Sequence, residues 1–279
     1  MEKIFNCFAL CSKKEKRTAP PLTFDRVGGI MKGTGKGGKA VSAAVLKYFA
    51  VICMVIDHAA WAFVPTASVS GQLLHTLGRL TAPIMCFFVA EGYYHTRSRK
   101  RYLLRMAVFA VLSAIPYAFF CAEGDWTAVF SSFYGFGMIY TLTLGLLSVT
   151  VWKSDMEEPV RLLWVAVLVF LSSFGDWQIA GVLWVFSFAV FREEPKKRDA
   201  AFCAIAVFMA LWLCAQDFPA MGFGCLRYCL CQFGTLLALP LLHLYNGERG
   251  RQPKWFFYVF YPAHLLVLGY LCRFLSGAS

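Results

Sequence analysis

The chain has 279 residues, of which 59% are hydrophobic, 17% aromatic and only 15% charged, whereas a water-soluble domain carries about a quarter charged residues. The formal net charge is +11, but the excess gathers in an amino-terminal tail and a few short loops, which the positive-inside rule explains better than nucleic-acid binding does. Apolar runs near 20 residues recur along a chain of positive mean hydropathy, the signature of an all-α, polytopic integral membrane bundle.

Residues 1–39 are polar, basic and rich in Gly and Pro, and read as a cytosolic, poorly ordered tail. Its IFNCFALC segment is too brief for the apolar core of a signal peptide, and Met31 could equally be the native start. Gly33, Gly38 and Lys39 fit part of a phosphate-binding loop, but Ala40 stands where a metal-binding Ser or Thr belongs and no strand precedes it, so the context fails. Residues 40–279 read as the membrane domain. Nine spans are expected there, at about 41–64, 72–95, 101–121, 133–152, 160–175, 176–191, 199–215, 222–245 and 255–275. The fifth and sixth are short and meet at a Gly-Asp-Trp break that could mark a re-entrant pair.

Alternate loops carry Arg97, Arg99, Lys100 and Arg101, then Lys153 and Arg161, then Arg192, Lys196, Lys197 and Arg198, then Arg249, Arg251 and Lys254. The loops between them, PTASVSGQ, AEGDWTAVFSS, Gly175–Asp176 and AQDFPAMG, contain no Lys or Arg. This asymmetry places the amino terminus in the cytosol and, with nine spans, the carboxyl terminus outside. The 11 cysteines fall mostly inside apolar runs and lack zinc-site spacing, so they read as small packing hydrophobes and no metal is expected.

The first span carries KYFAVICMVIDH, from Lys47 to His58. Eleven helical steps put these two residues on nearly one face, roughly 16 Å apart along the axis. Ionisable groups inside a span are costly unless they face protein or a wet cavity, which makes them functional candidates. The second span adds His75, Arg79 and Glu91. Because consecutive spans run antiparallel, Arg79 lies level with Asp57 and His58, and Glu91 lies level with Lys47, so two opposite-charge pairings are expected. Neighbours on a helix do not face each other, so Asp57 is expected to pair with Arg79 rather than to orient His58. Pro83 is expected to kink this span, and Arg105 in the third to snorkel to the cytosolic surface. Further polar groups are Tyr140, Thr141, Asp176, Arg227 and Tyr228. His264 in the last span is a second site candidate, whereas His75, His95 and His243 lie near span ends and read as structural.

MVIDH, LGRLTAPIMCFFVAEGYYHT, RYLLRM, SAIPY, YTLTLGLL, FGDWQIAGVL and KWFFYVFYPAHL, in that order, resemble the TraX family over about residues 44–272. That family takes its name from an enzyme that acetylates the amino terminus of conjugative pilin, and is similar to a wider superfamily of transmembrane acyltransferases. Those carry a basic or polar residue, ten intervening residues and then a catalytic His, a spacing that Lys47 and His58 reproduce. The resemblance implies a multi-pass protein of a prokaryotic cytoplasmic membrane that moves an acetyl or other acyl group from acyl-CoA, as co-substrate, to an unidentified amine or hydroxyl acceptor, a protein N-terminus, glycan, lipid or small molecule. His58 would be general base or acyl-accepting nucleophile, and Arg79 would stabilise an oxyanion or hold Asp57. Lys47, Arg97, Arg99, Lys100 and Arg101 would attract the anionic CoA headgroup, with Glu91, His264 and Asp176 as further candidates. A small transporter or flippase would line a path with the same charges, although no internal repeat of that type is visible. A non-catalytic assembly factor would use them as helix glue.

Overall fold

The computed structural model describes residues 41–276 except 254. The tail, its phosphate-loop-like segment, Met31 and Lys254 lie outside the described residues, as do the side chains of Arg227 and Tyr228. Every named element within them is helical: α1 Ala43–Phe63, α2 Val69–Gly78, α3 Thr81–His95, α4 Arg99–Cys121, α5 Trp126–Ser131, α6 Met138–Trp152, α7 Glu158–Leu171, α8 Gln178–Val190, α9 Pro195–Met221, α10 Cys225–Cys229, α11 Ala238–His243 and α12 Phe256–Ser276. Single 3-10 turns follow α7 and α9, and a longer 3-10 stretch, Leu230–Leu237, joins α10 to α11.

Local sequence explains most boundaries. The Ser68 and Ser98 hydroxyls accept the backbone N–H groups of Gly71 and Arg101 at the starts of α2 and α4, satisfying donors that a helix leaves unpaired. Pro195 opens α9, where its missing N–H costs nothing. The expected second span is interrupted at Arg79–Leu80, between α2 and α3. Pro83, in the first turn of α3, has no N–H to give the Arg79 carbonyl four residues earlier, so the break falls just before the proline.

Among the described residues, five helical stretches are long and apolar enough to cross a membrane: Ala43–Phe63, Val69–His95, Arg99–Cys121, Pro195–Ala220 and Phe256–Leu275. The other expected spans form shorter pieces. At 15 and 13 residues, α6 and α8 reach only about 22 and 20 Å, short of a hydrocarbon layer of about 30 Å. They are apolar because they are enclosed by protein. Leu146 and Val149 of α6 and Val182, Trp184 and Val185 of α8 are buried, and a helix apolar all round is a core helix as readily as a span. The expected eighth span is broken into α10, the 3-10 stretch and α11.

The helices gather the loops into two sets. At the basic end, Val41 bridges to Tyr245 and the Ala43 N–H donates to the Glu248 carbonyl at 2.8 Å. Arg192 meets Glu91 and His243 meets Asp199 at the same end, at 2.8 and 2.9 Å. At the opposite end Phe136 bridges to Gly175. There Arg273, at the end of α12, donates to the Gly124 carbonyl at 3.0 Å, a basic residue the loop count does not include.

Candidate functional site

Asp57 is the hub of the buried charges. Its Oδ1 accepts from His75 Nδ1 at 2.8 Å and its Oδ2 from Arg79 Nη1 at 3.2 Å. All three residues are buried, His75 completely. The expected Asp57–Arg79 pairing is therefore present, but His75, read as structural, is its third member. The signal was available in the sequence: His75 and Arg79 are four residues apart and share a helix face. Arg79 also lies against the rings of Trp61 and Trp177, with centroids at 6.0 and 5.4 Å, and its Nε has no hydrogen-bond partner.

This hub needs Gly78. A Cβ there would overlap Asp57 Cβ, Cγ and Oδ1, so only glycine lets α2 approach α1 this closely. Gly78→Ala gains about 1 kcal/mol in helix propensity, but overpacking costs about 1–3 kcal/mol, and a carboxylate held by two partners cannot move aside. The variant is expected to melt at lower temperature than wild type in detergent; an unchanged melting temperature would mean that the approach has slack.

The hydrogen-bond partner of His58 comes from the last helix. His58 Nδ1 lies 2.9 Å from His264 Nε2, and His264 Nδ1 lies 3.0 Å from the Phe260 carbonyl oxygen. The carbonyl can only accept, so His264 Nδ1 carries a proton, and in the neutral ring its Nε2 is then a lone pair. His58 Nδ1 then donates to it, which leaves His58 Nε2 unprotonated. Phe120 packs edge-on against the His58 ring and Phe260 stacks on that of His264, so two aromatic residues hold the imidazole pair in place. No spacing rule links residues 206 positions apart.

The third component is the break between the 3-10 turn and α8. Trp177 and Gln178 adopt positive φ, 62° and 39°, an unusual conformation for residues other than glycine. It is held from several sides. The Asp176 N–H donates to the Phe136 carbonyl at 2.7 Å, the Thr141 hydroxyl donates to the Asp176 carbonyl at 2.6 Å, and Asp176 Oδ1 accepts the Trp177 N–H at 2.9 Å. A strained backbone fixed this firmly is a feature of functional sites. Here it places Trp177 against Arg79.

These components share a cavity of about 1080 Å3. Asp57, His58, Arg79 and Asp176 line it, together with Trp61, Tyr117, Phe120, Trp177 and Tyr261. Loop residues Glu123, Phe133–Phe136 and Ser173–Gln178 form its wall at the end opposite the basic loops. A large cavity with aromatic walls and a few convergent polar groups is the usual form of a ligand site.

The residues expected to meet an anionic headgroup are elsewhere. Lys47 sits over the Phe88 and Phe257 rings, at 5.0 and 5.8 Å, and does not line the cavity. Arg97, Arg99, Lys100 and Arg101 are exposed around the start of α4. The segment brought beside Lys47 is 248–249, where the Ala44 N–H donates to the Arg249 carbonyl at 3.0 Å. The expected Glu91–Lys47 pairing is not formed: Glu91 binds Arg192 Nε at 2.8 Å and His95 at 3.2 Å. Equal depth on two neighbouring helices does not bring side chains together when their faces differ, and the loop after α8 supplies a closer cation. Nor does Arg105 simply reach for the surface. Its guanidinium lies against Tyr102, Trp255 and Tyr258, at 5.5, 5.9 and 5.3 Å, an aromatic enclosure that stabilises a cation.

Helices long and apolar enough to cross a membrane, packed around an open cavity with polar groups in its wall, place the chain among helical membrane proteins. Within that class the chain belongs to the TraX family, whose profile, described as "TraX protein", matches residues 42–272. The chain is similar to the "Probable fimbrial assembly protein FimC, serogroup H1" of Dichelobacter nodosus, 31% identical over 231 residues that cover 81% of this chain and 94% of that protein. No solved structure matches the chain.

Proposed function

We propose that this protein is a multi-pass acyltransferase of the cytoplasmic membrane, its amino terminus in the cytosol, which transfers an acyl group from acyl-CoA to an amine or hydroxyl acceptor in the cavity beside His58. The observation that carries this reading is the hydrogen-bond chain from His58 through His264 to the Phe260 carbonyl, which for neutral imidazoles leaves Nε2 of the cavity-lining His58 as a free base. His58 Nε2 takes the acceptor proton as the acceptor attacks the thioester carbonyl. Arg79, which lines the cavity, offers a guanidinium donor and a positive charge to the oxyanion that forms. Collapse of the tetrahedral intermediate expels the CoA thiolate, and the His58 imidazolium returns the proton to it. If Nε2 instead attacks the thioester itself, an acyl-histidine forms and passes the acyl group on.

Lys47 and the 248–249 segment face the headgroup side of this scheme. Lys47 lies roughly 16 Å along α1 from His58, so the thioester arm must extend between helices for the acyl carbon to reach Nε2. The name of the relative connects that protein with fimbrial assembly, and the acceptor proposed for this chain is accordingly a component of a surface fibre. That name also favours a second reading, a non-catalytic assembly factor whose buried charges only hold helices together.

Labelled acetyl-CoA and envelope fractions separate the two. Purified wild-type protein in liposomes is expected to transfer label to an acceptor, or to itself, and His58→Ala to lose at least 100-fold of that rate, since a general base contributes about 10²–10⁴-fold. A His58→Ala protein that folds and transfers at the wild-type rate would overturn the role of His58. Absence of transfer from every fraction, with fibre assembly intact in His58→Ala cells, would favour the assembly factor.

A further inference from the structure

Three cysteines outside the cavity form a second chemical cluster. Cys214 on α9 has its Sγ 3.1 Å from that of Cys225 on α10. Cys229 is one helical turn beyond Cys225, so its thiol shares that face and neighbours Cys214 as well. Cys225 and Cys229 are buried and Cys214 is partly exposed. One partly exposed cysteine thus faces two buried ones across the turn at 222–224.

Packing alone does not require this arrangement. A buried cysteine that only fills space needs apolar neighbours, not two other sulfurs. The Cys214–Cys225 separation exceeds a disulfide bond by only about 1 Å, a distance that rotation of the two side chains can close. The cluster lies near the end of the bundle opposite the basic loops, because Cys214 is within about 10 Å of the end of α9. On the positive-inside reading that end faces the outside, where disulfides persist.

We propose that Cys214, Cys225 and Cys229 form a redox-active thiol site whose substrate is an external disulfide, carried by a small molecule or by an oxidoreductase. The Cys214 thiolate attacks one sulfur of that disulfide and expels the other as a thiol, giving a mixed disulfide. The Cys225 thiol then displaces the second external thiol and closes a Cys214–Cys225 bond. One external disulfide is reduced to two thiols, and two protein thiols are oxidised to one disulfide. Cys229 is the alternative partner, and exchange with it moves the bond along α10.

The bridge would act on the cavity wall. Leu213, next to Cys214, lines the cavity, as does Gln232 just beyond α10. The intervening Cys231 N–H donates to the Gln72 side chain of α2 at 3.2 Å, and Gly234 packs against the Thr76 backbone. Oxidation therefore ties α9 to a segment seated on α2, the helix that carries His75 and leads into Arg79.

Tryptic mapping reads the bond directly, because cleavage after Arg227 separates Cys225 from Cys229 while Cys214 and Cys225 stay together in peptide 199–227. Full-length protein in detergent is treated with oxidised glutathione, denatured, alkylated and digested without reductant. The expected product is peptide 199–227 lacking the mass of two hydrogens, with Cys203 alkylated. In Cys225→Ser, peptide 199–227 is expected to be joined to 228–249 through Cys229, and in Cys214→Ser both products should vanish. Alkylation of all three cysteines after oxidation, or a bridge that survives Cys214→Ser, would overturn the proposal.

Discussion

His264→Leu is expected to lower the acyl-transfer rate of the proposed enzyme by about 10²–10⁴-fold, the range lost when a catalytic imidazole is left without its orienting partner. The substitution leaves His58 and the cavity wall in place. What it removes is the lone pair that accepts His58 Nδ1–H, so the neutral ring is free to carry its proton on Nε2 and cannot then serve as base. His264→Gln is the control, because the side-chain oxygen of Gln can accept the same hydrogen bond. The loss should fall mainly on kcat rather than KM, and Gln should recover a large part of it. If Leu and Gln are equally active, or equally damaged with a matching fall in melting temperature, His264 is a packing residue and the tautomer argument fails. His58→Ala measured alongside supplies the floor: His264→Leu should not fall below it.

Asp57→Ala is expected to destabilise the protein by about 3–5 kcal/mol, the cost of leaving one member of a buried ion pair behind. Here two donors lose their acceptor together. Arg79 would be left among Trp61 and Trp177, and the fully buried His75 would have no partner at either ring nitrogen. The measurement is the melting temperature in detergent and the yield of monodisperse protein. The double variant Asp57→Ala with Arg79→Leu should recover much of the stability, because the uncompensated cation is gone. A double variant as unstable as the single would show that the ion pair is not the source of the loss. Activity should remain low in both, since Arg79 is the proposed oxyanion donor.

Much of the architecture is legible from composition and periodicity. Apolar runs near 20 residues mark the five long helical stretches, and the Gly-Asp-Trp break between α7 and α8 falls where the sequence places it. The count of spans is less legible. Hydropathy records whether a side chain avoids water; it does not record whether protein or lipid covers it, so the enclosed α6 and α8 read like the exposed faces of α4 and α12. The same distinction explains the cysteines, which satisfy an apolar environment whether or not another sulfur stands nearby.

The candidate site divides along similar lines. Asp57 and Arg79 can be paired from depth alone, because α1 and α2 are adjacent in sequence and antiparallel. Glu91 and Lys47 obey the same depth rule and do not pair, since depth fixes height along the bundle and leaves rotation about each helix axis undetermined. His58 and His264 stand out individually as polar groups in apolar runs, but their contact joins the first long helix to the last. The sequence by itself determined that this chain is a helical membrane protein of the TraX family with costly polar groups in its interior. Only the tertiary structure decided which of those groups meet, because helix rotation and long-range packing set the contacts and neither leaves a local pattern in the chain.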